Sequence, residues 1–280
     1  MSIRTMKAAA FALRWGLTLI VSFVILFPLY WILISSLTPK QMAFKTPIDY
    51  LPDTLTLQNY IHLYKNLGIG EMAYNTLLIT AVSLLASIIL GVIAAYAFAR
   101  HDDSKGIDSA FKLLIFSAMI PPIVTARPLY DFMKSVNMVD TFTGLTILYT
   151  SSLLPFSVLI LYNFVKQIPV SIEEAAHVDG ANNMQILFKV VFPLMKPAVA
   201  TISIINFIHC LNEFFTPLFF SHNISLLSVG ITSLPRENDY ELPWDLISAM
   251  GWFIILPIII FVLIFEKNIM EGMMAGGVKQ

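Results

Sequence analysis

Asn206, His209 and Glu213 lie in a run from Pro197 to Phe220 whose only formal charge is Glu213. They are spaced by three and four, so on a helix turning about 100° per residue they fall within roughly 60° of one face. Ionisable groups at membrane depth are costly and mark pathways or contacts. With Asn212 beside them, they read either as a stretch of translocation path or gate, or as a polar seam hydrogen-bonded to a neighbouring helix. Neither is enzyme chemistry. A membrane enzyme would need convergent carboxylates, a histidine cluster or a nucleophile near an interface, and Asp102, Asp103 and Asp108 read as a solvated turn. His62, His101, His177, His209 and His222 are scattered without metal-ligand spacing, so no metal site is expected. No Gly-x-x-x-x-Gly-Lys-[Ser/Thr] run is present to cradle a nucleotide.

A second group of residues lies between Lys166 and Lys196. Ser171 is a good N-cap there, with Glu173 and Glu174 in the favourable first turn. The spacing predicts a short helix over Ile172–Asp179, ended by Gly180 if that residue takes a positive φ. A second segment then carries Ile186, Leu187, Val190 and Val191 at helical spacing, and Pro193 and Pro197 are expected to end it. Such a helix–turn–helix is either an amphipathic hairpin lying on lipid or a lever gripped by a partner.

The elements that position these residues follow from composition. Of 280 residues, 57% are hydrophobic and 12% charged, with a mean hydropathy of +0.77. An ordinary soluble domain has roughly 25% charged residues, so this chain cannot cover a water-facing surface. It reads as an all-α integral membrane protein. Seventeen Lys and Arg against 18 Asp and Glu leave a net charge of −1, so nothing points to nucleic acid. The lone Cys210 reads as a small hydrophobe.

A span needs about 20 apolar residues, and six are predicted: Trp15–Leu37, Met72–Ala99, Leu113–Ala126, Thr141–Val165, Pro197–Phe220 and Leu246–Phe265. The third is short and lies between Lys112 and Arg127, which must snorkel. The first is too long for a cleaved signal, and no Ala-x-Ala-like site follows it. With the N-terminus inside, the inner segments hold 11 basic residues and the outer ones 5, which places both termini in the cytoplasm. Thr76, Thr80, Ser83, Ser87 and Gly91 read as a close-packing stripe. Pro28, Pro121, Pro155 and Pro257 read as kinks, and Trp15, Trp31, Trp244 and Trp252 as interfacial anchors. The chain divides into an N-terminus (1–14), a first span with its outer loop (15–71), a core of five spans (72–265) and a tail (266–280). A secondary transporter or channel is the rival class, although no internal repeat is present.

Glu174-Ala175-Ala176-x-x-x-Gly180 followed by Val190-x-Phe192-Pro193 resembles the EAA loop of ABC-importer permeases, which carry Ile and Leu where Val190 and Phe192 stand. Asn75-Thr76-Leu77-Leu78, Ala94 to Arg100, Pro121-Pro122, Leu211-Asn212-Glu213-Phe214-Phe215-x-Pro217-Leu218 and Gly272-x-x-x-Gly276-Gly277-Val278-Lys279 resemble the carbohydrate branch, in particular its MalG-type second permease subunit. Leu211 replaces the Trp usual before the Asn. The resemblance implies a type I, MetI-like permease fold. It also implies a MalF-like second permease, two ATPase subunits carrying ATP and Mg, and an extracytoplasmic sugar-binding protein. This chain itself would hold no cofactor. Coupling to the ATPase would then fall to Glu173, Glu174, Ala175, Ala176, Asp179, Gly180 and Pro193. The polar outer loop Ser221–Trp244 would reach the binding protein through Arg236, Glu237, Asp239 and Tyr240.

Overall fold

The computed structural model describes residues 3–39, 50–101, 104–235 and 242–277, with side chains described between 11 and 266. The described residues form helices and no strand, in the order α1 (Ile3–Leu37), α2 (Gln58–Asn66), α3 (Ile69–Arg100), α4 (Lys105–Ser117), α5 (Pro122–Ser135), α6 (Phe142–Gln167), α7 (Val170–Val178) and α8 (Asn183–Asn212). The short α9 (Phe215–Phe220) and α10 (Leu227–Gly230) precede α11 (Trp244–Gly277). Among the described residues, five helices are long and apolar enough to cross a bilayer, in α1, α3, α6, α8 and α11. The chain divides into two units, Met1–Ile69 with Ile231–Phe253 and Gly70–Gly230 with Ile254–Gln280.

The predicted third span is broken. α4 and α5 meet at 105° across Ala118–Pro121. Pro121 and Pro122 are consecutive, neither has an N–H to give, and each keeps its predecessor out of the helical region. Pro121 therefore precedes a helix that starts at Pro122 rather than kinking one. Asp108, expected in a turn, lies in the first turn of α4 and pairs with Lys112 at 2.6 Å. Asp102 and Asp103 lie outside the described residues.

The bent pair still traverses the second unit. One buried cluster joins Val92, Ala95 and Ala99 of α3 to Val158, Leu161 and Val165 of α6, and Phe111 and Leu114 of α4 pack on it. Phe111 stacks on Tyr162 with ring centroids 4.5 Å apart. A second cluster joins Ile79 of α3 to Leu145, Leu148 and Leu153 of α6, and Met133, Leu129 and Tyr130 of α5 pack there. The two clusters occupy opposite ends of α3 and α6. The pair passes from one end to the other, so it counts as a crossing and makes six.

The fifth span also departs from expectation. Pro193 and Pro197 do not end a helix but lie inside α8, which begins at Asn183 and stops at Asn212. A capping box starts it, in which the Asn182 side chain accepts from the Gln185 N–H and the Gln185 side chain accepts from the Asn182 N–H, both at 2.9 Å. Ile186–Val191 is a widened π turn, in which the Phe192 N–H reaches back five residues to the Leu187 carbonyl. The extra residue per turn accommodates Pro193, whose ring cannot sit over a regular turn.

Between the two clusters runs a polar seam. Asn206, on α8, is buried and donates to Ser157 Oγ of α6 at 2.8 Å, with Ser87 Oγ of α3 at 3.4 Å. Thr76, Thr80, Ser83 and Ser87 are buried along α3, as the small-residue stripe predicts. A Cβ on Gly91 would sit 3.3 Å from Leu161 Cδ1, so α3 and α6 approach closely there. In the first unit, Asn59 donates to the carbonyls of Ser36 and Thr38 at 2.9 and 3.0 Å and pins α2 to the end of α1.

Candidate functional site

α7 begins at Val170, after Pro169, so Ser171 falls in its first turn and makes no side-chain cap. Its C-terminus is a Schellman motif. The Ala181 N–H reaches the Ala176 carbonyl and the Gly180 N–H the His177 carbonyl, both at 3.0 Å, with Gly180 at φ +87°. Only glycine takes that conformation without strain.

The helix presents two unlike faces. Glu173 and Ala176, three residues apart, point inward. Ala176 packs on the buried cluster with Ala181. Glu173, with 8% of its side chain exposed, accepts from Arg100 Nε at 2.8 Å and Nη2 at 2.6 Å, and from the Tyr96 hydroxyl at 2.8 Å. Arg100 Nη2 also donates to the Ile168 carbonyl at 3.0 Å. Outward stand Val170, Ile172, Glu174, Ala175, Val178, Asp179 and Gly180, with Val178 88% exposed. Of the residues expected at an ATPase contact, Glu174, Ala175, Asp179 and Gly180 share this outer face. Pro193 is exposed on α8, whereas Glu173 serves the protein's own interior.

The two broken helices meet at a cavity of about 350 Å³. Ser151 and Ser152 of α6, Thr125 of α5, and His209, Glu213 and Thr216 around the α8–α9 break line it. Non-helical backbone at membrane depth is tolerated where it lines such a space. The single face predicted for Asn206, His209 and Glu213 is thereby divided. α8 stops at Asn212, so the helical step no longer applies to Glu213, and Asn206 is turned into the seam instead. Glu213 Oε1 accepts the Thr216 N–H at 2.7 Å, which caps α9, and its carbonyl accepts the Ser228 hydroxyl at 2.6 Å. Asn212 is exposed and donates to the Ile208 carbonyl at 2.8 Å. Arg127 is exposed and paired with Asp131 at 3.0 Å.

At the end of the second unit away from α7, Asp140 organises a loop that sequence reasoning missed. Its carboxylate accepts the N–H groups of His222, Asn223 and Ile224 at 2.9, 2.9 and 3.2 Å, and the Asn223 amide at 2.5 Å. Asp140 sits at φ 57°, a region that Asp and Asn tolerate. Burial alone would raise its pKa, but these donors outweigh it and hold the carboxyl at about 2. Arg236, Glu237, Asp239 and Tyr240, expected further along this loop, lie outside the described residues.

The model of one protein family, the inner membrane component of binding-protein-dependent transport systems, matches residues 87–273. The chain belongs to that family. As such it is a non-catalytic, multi-pass permease subunit of the inner membrane, whose ATPase is a separate chain. The permease is 33% identical over 91% of its length, and 89% of the relative's, to the sulfoquinovosyl glycerol transport system permease SmoH of Agrobacterium fabrum. It is 31% identical over 94% of its length, and 95% of the relative's, to the trehalose transport system permease SugB of Mycobacterium tuberculosis. Its fold matches a chain of a bacterial ABC transporter that imports the polysaccharide alginate, with a TM-score of 0.77 at 23% identity over 95% of this chain and 98% of that one. The family match takes in the permease's α7, the cavity and the polar seam, and begins beyond α1 and α2.

Proposed function

We propose that this permease imports a sugar or glycoside, as one of two permeases in a heterodimer with a MalF-like partner. Two ATPase subunits holding ATP and Mg bind below, an extracytoplasmic binding protein delivers the solute, and both termini lie in the cytoplasm. The carbohydrate solutes named for its relatives support the substrate class. One observation carries the coupling role: α7 is fixed to the bundle by a buried carboxylate while its opposite face, with Glu174, Ala175, Val178, Asp179 and Gly180, is left open. A lipid-lying hairpin would turn its apolar side outward alone, whereas this face mixes small, apolar and acidic residues in the manner of a protein contact. Asp140 braces the root of the outer loop through which Arg236, Glu237, Asp239 and Tyr240 meet the binding protein. His209, Asn212 and Glu213 border the translocation path, and Asn206 supports it from the seam.

The test is uptake into vesicles holding the complete complex, with mono-, di- and trisaccharides offered on the cognate binding protein. Accumulation should require ATP on the ATPase side. Accumulation driven by an ion gradient without ATP would instead favour a secondary transporter.

A further inference from the structure

α3 touches both functional ends of the permease. Near its start, Asn75 Nδ2 donates to the Ser225 carbonyl at 3.2 Å, and Thr76 Oγ1 accepts the Leu227 N–H at 2.9 Å. Residues 225 and 227 are the root of the outer loop, and Asp140 holds the three residues before them. At the other end, Tyr96 and Arg100 hold Glu173 of α7. The same helix therefore grips the outer loop and the coupling helix across 25 residues, roughly 38 Å at 1.5 Å per residue.

Its composition suits a stiff member. Among the five long helices, α3 alone has no proline. Pro28 lies in α1, Pro155 in α6, Pro193 and Pro197 in α8, and Pro257 in α11. Prolines and π turns are where long helices bend, and α8 has both. α6 and α8, the helices joined covalently to the α7 loop, thus carry prolines where α3 does not.

We infer that α3 is the mechanical link between the two faces of the membrane, with Asn75 and Thr76 as its outer grip and Tyr96 and Arg100 as its inner one. Engagement of the outer loop by the binding protein displaces α3, and α3 moves α7 within the ATPase contact. This rests on the coupling reading above.

The experiment uses the reconstituted complex and reads the ratio of binding-protein-stimulated to basal ATP hydrolysis. Arg100→Gln and Thr76→Val should each lower that ratio by roughly threefold or more in assembled complexes. The double variant should be no lower than the worse single one, because both cut the same link. Tyr96→Phe removes one hydrogen bond and keeps the ring, so it should give a smaller loss of the same kind if Arg100→Gln fails to assemble. A purely structural role would lower the thermal stability of the purified permease pair and leave the ratio untouched. Unchanged ratios, or a double variant whose loss is the product of two independent ones, would overturn the link. Absence of stimulation in the wild-type complex would instead overturn the coupling reading on which the link rests.

Discussion

Arg100 presents both Nε and Nη2 to one carboxylate oxygen of Glu173, at 2.8 and 2.6 Å, while Tyr96 takes the other oxygen at 2.8 Å. Three charge-assisted contacts thus converge on a buried carboxylate 73 residues from the arginine, and Nη2 also donates to the Ile168 carbonyl. Adjacent glutamates therefore have different tasks, Glu173 within the permease and Glu174 on its surface.

Truncating the two should separate those tasks. Glu173→Ala strands Arg100 in a buried site, and breaking a buried pair from one side costs about 3 kcal/mol or more. Glu174→Ala removes an exposed side chain and should stay within about 0.5 kcal/mol. Thermal unfolding of the detergent-solubilised permease checks this. Equal shifts for the two variants would contradict the assignment.

Gly180 is constrained by backbone rather than by space, since a Cβ there would meet nothing within 4 Å. With φ at +87°, Gly180→Ala should cost about 1 kcal/mol, Gly180→Asn less, and Gly180→Val more. The order can be read from hydrogen-exchange protection of α7. A flat series would show that the left-handed turn is not held in solution.

Much of this was legible in the sequence. The apolar runs of α1, α3, α6 and α11 and the Gly180 turn depend only on local residue types. The break at Pro121-Pro122 is also a local signal, but within the apolar run Leu113–Ala126 it looks like a kink in one continuous span. The course of α8 through Pro193 was hidden, because it depends on a π turn specified by packing of Ile186, Leu187 and Val191 in the cluster. The inward face of α7 was equally hidden, since a nine-residue helix with apolar residues on both sides does not announce which side the bundle covers. Asp140 reaches residues more than 80 positions away, and no spacing rule finds such a contact.

The Asp140 clamp has a pH signature. Its folded pKa of about 2 lies below the ordinary value of 3.8. A depressed carboxylate adds stability that is complete above the unfolded pKa and is lost as pH falls through the folded one, here between about pH 4 and 2. Asp140→Asn keeps the shape and tolerates φ 57°, so it should flatten that part of the acid dependence. Melting temperatures followed down to pH 3 test this. Parallel curves for variant and wild type would remove the clamp from the account.

The proposed placement of α7 in the cytoplasm, with six crossings, predicts a labelling pattern. In a Cys210→Ala background, a cysteine at the exposed Tyr64 should react with an impermeant thiol reagent added outside intact cells, and one at Asp179 should not. External labelling at Asp179 would reverse the topology.

The coupling claim meets its most direct test in co-purification of the ATPase with the permease, compared for wild type, Glu174→Lys and Gly180→Asp, alongside uptake in vesicles. Both variants alter the open face of α7 and leave the Arg100–Glu173 anchor intact. The permease should insert normally and lose roughly tenfold or more of its ATPase attachment, the scale of about 1.4 kcal/mol at an interface, or else keep the ATPase and hydrolyse ATP without uptake. Attachment and uptake at wild-type levels in both variants would contradict the assignment of α7 as the coupling helix.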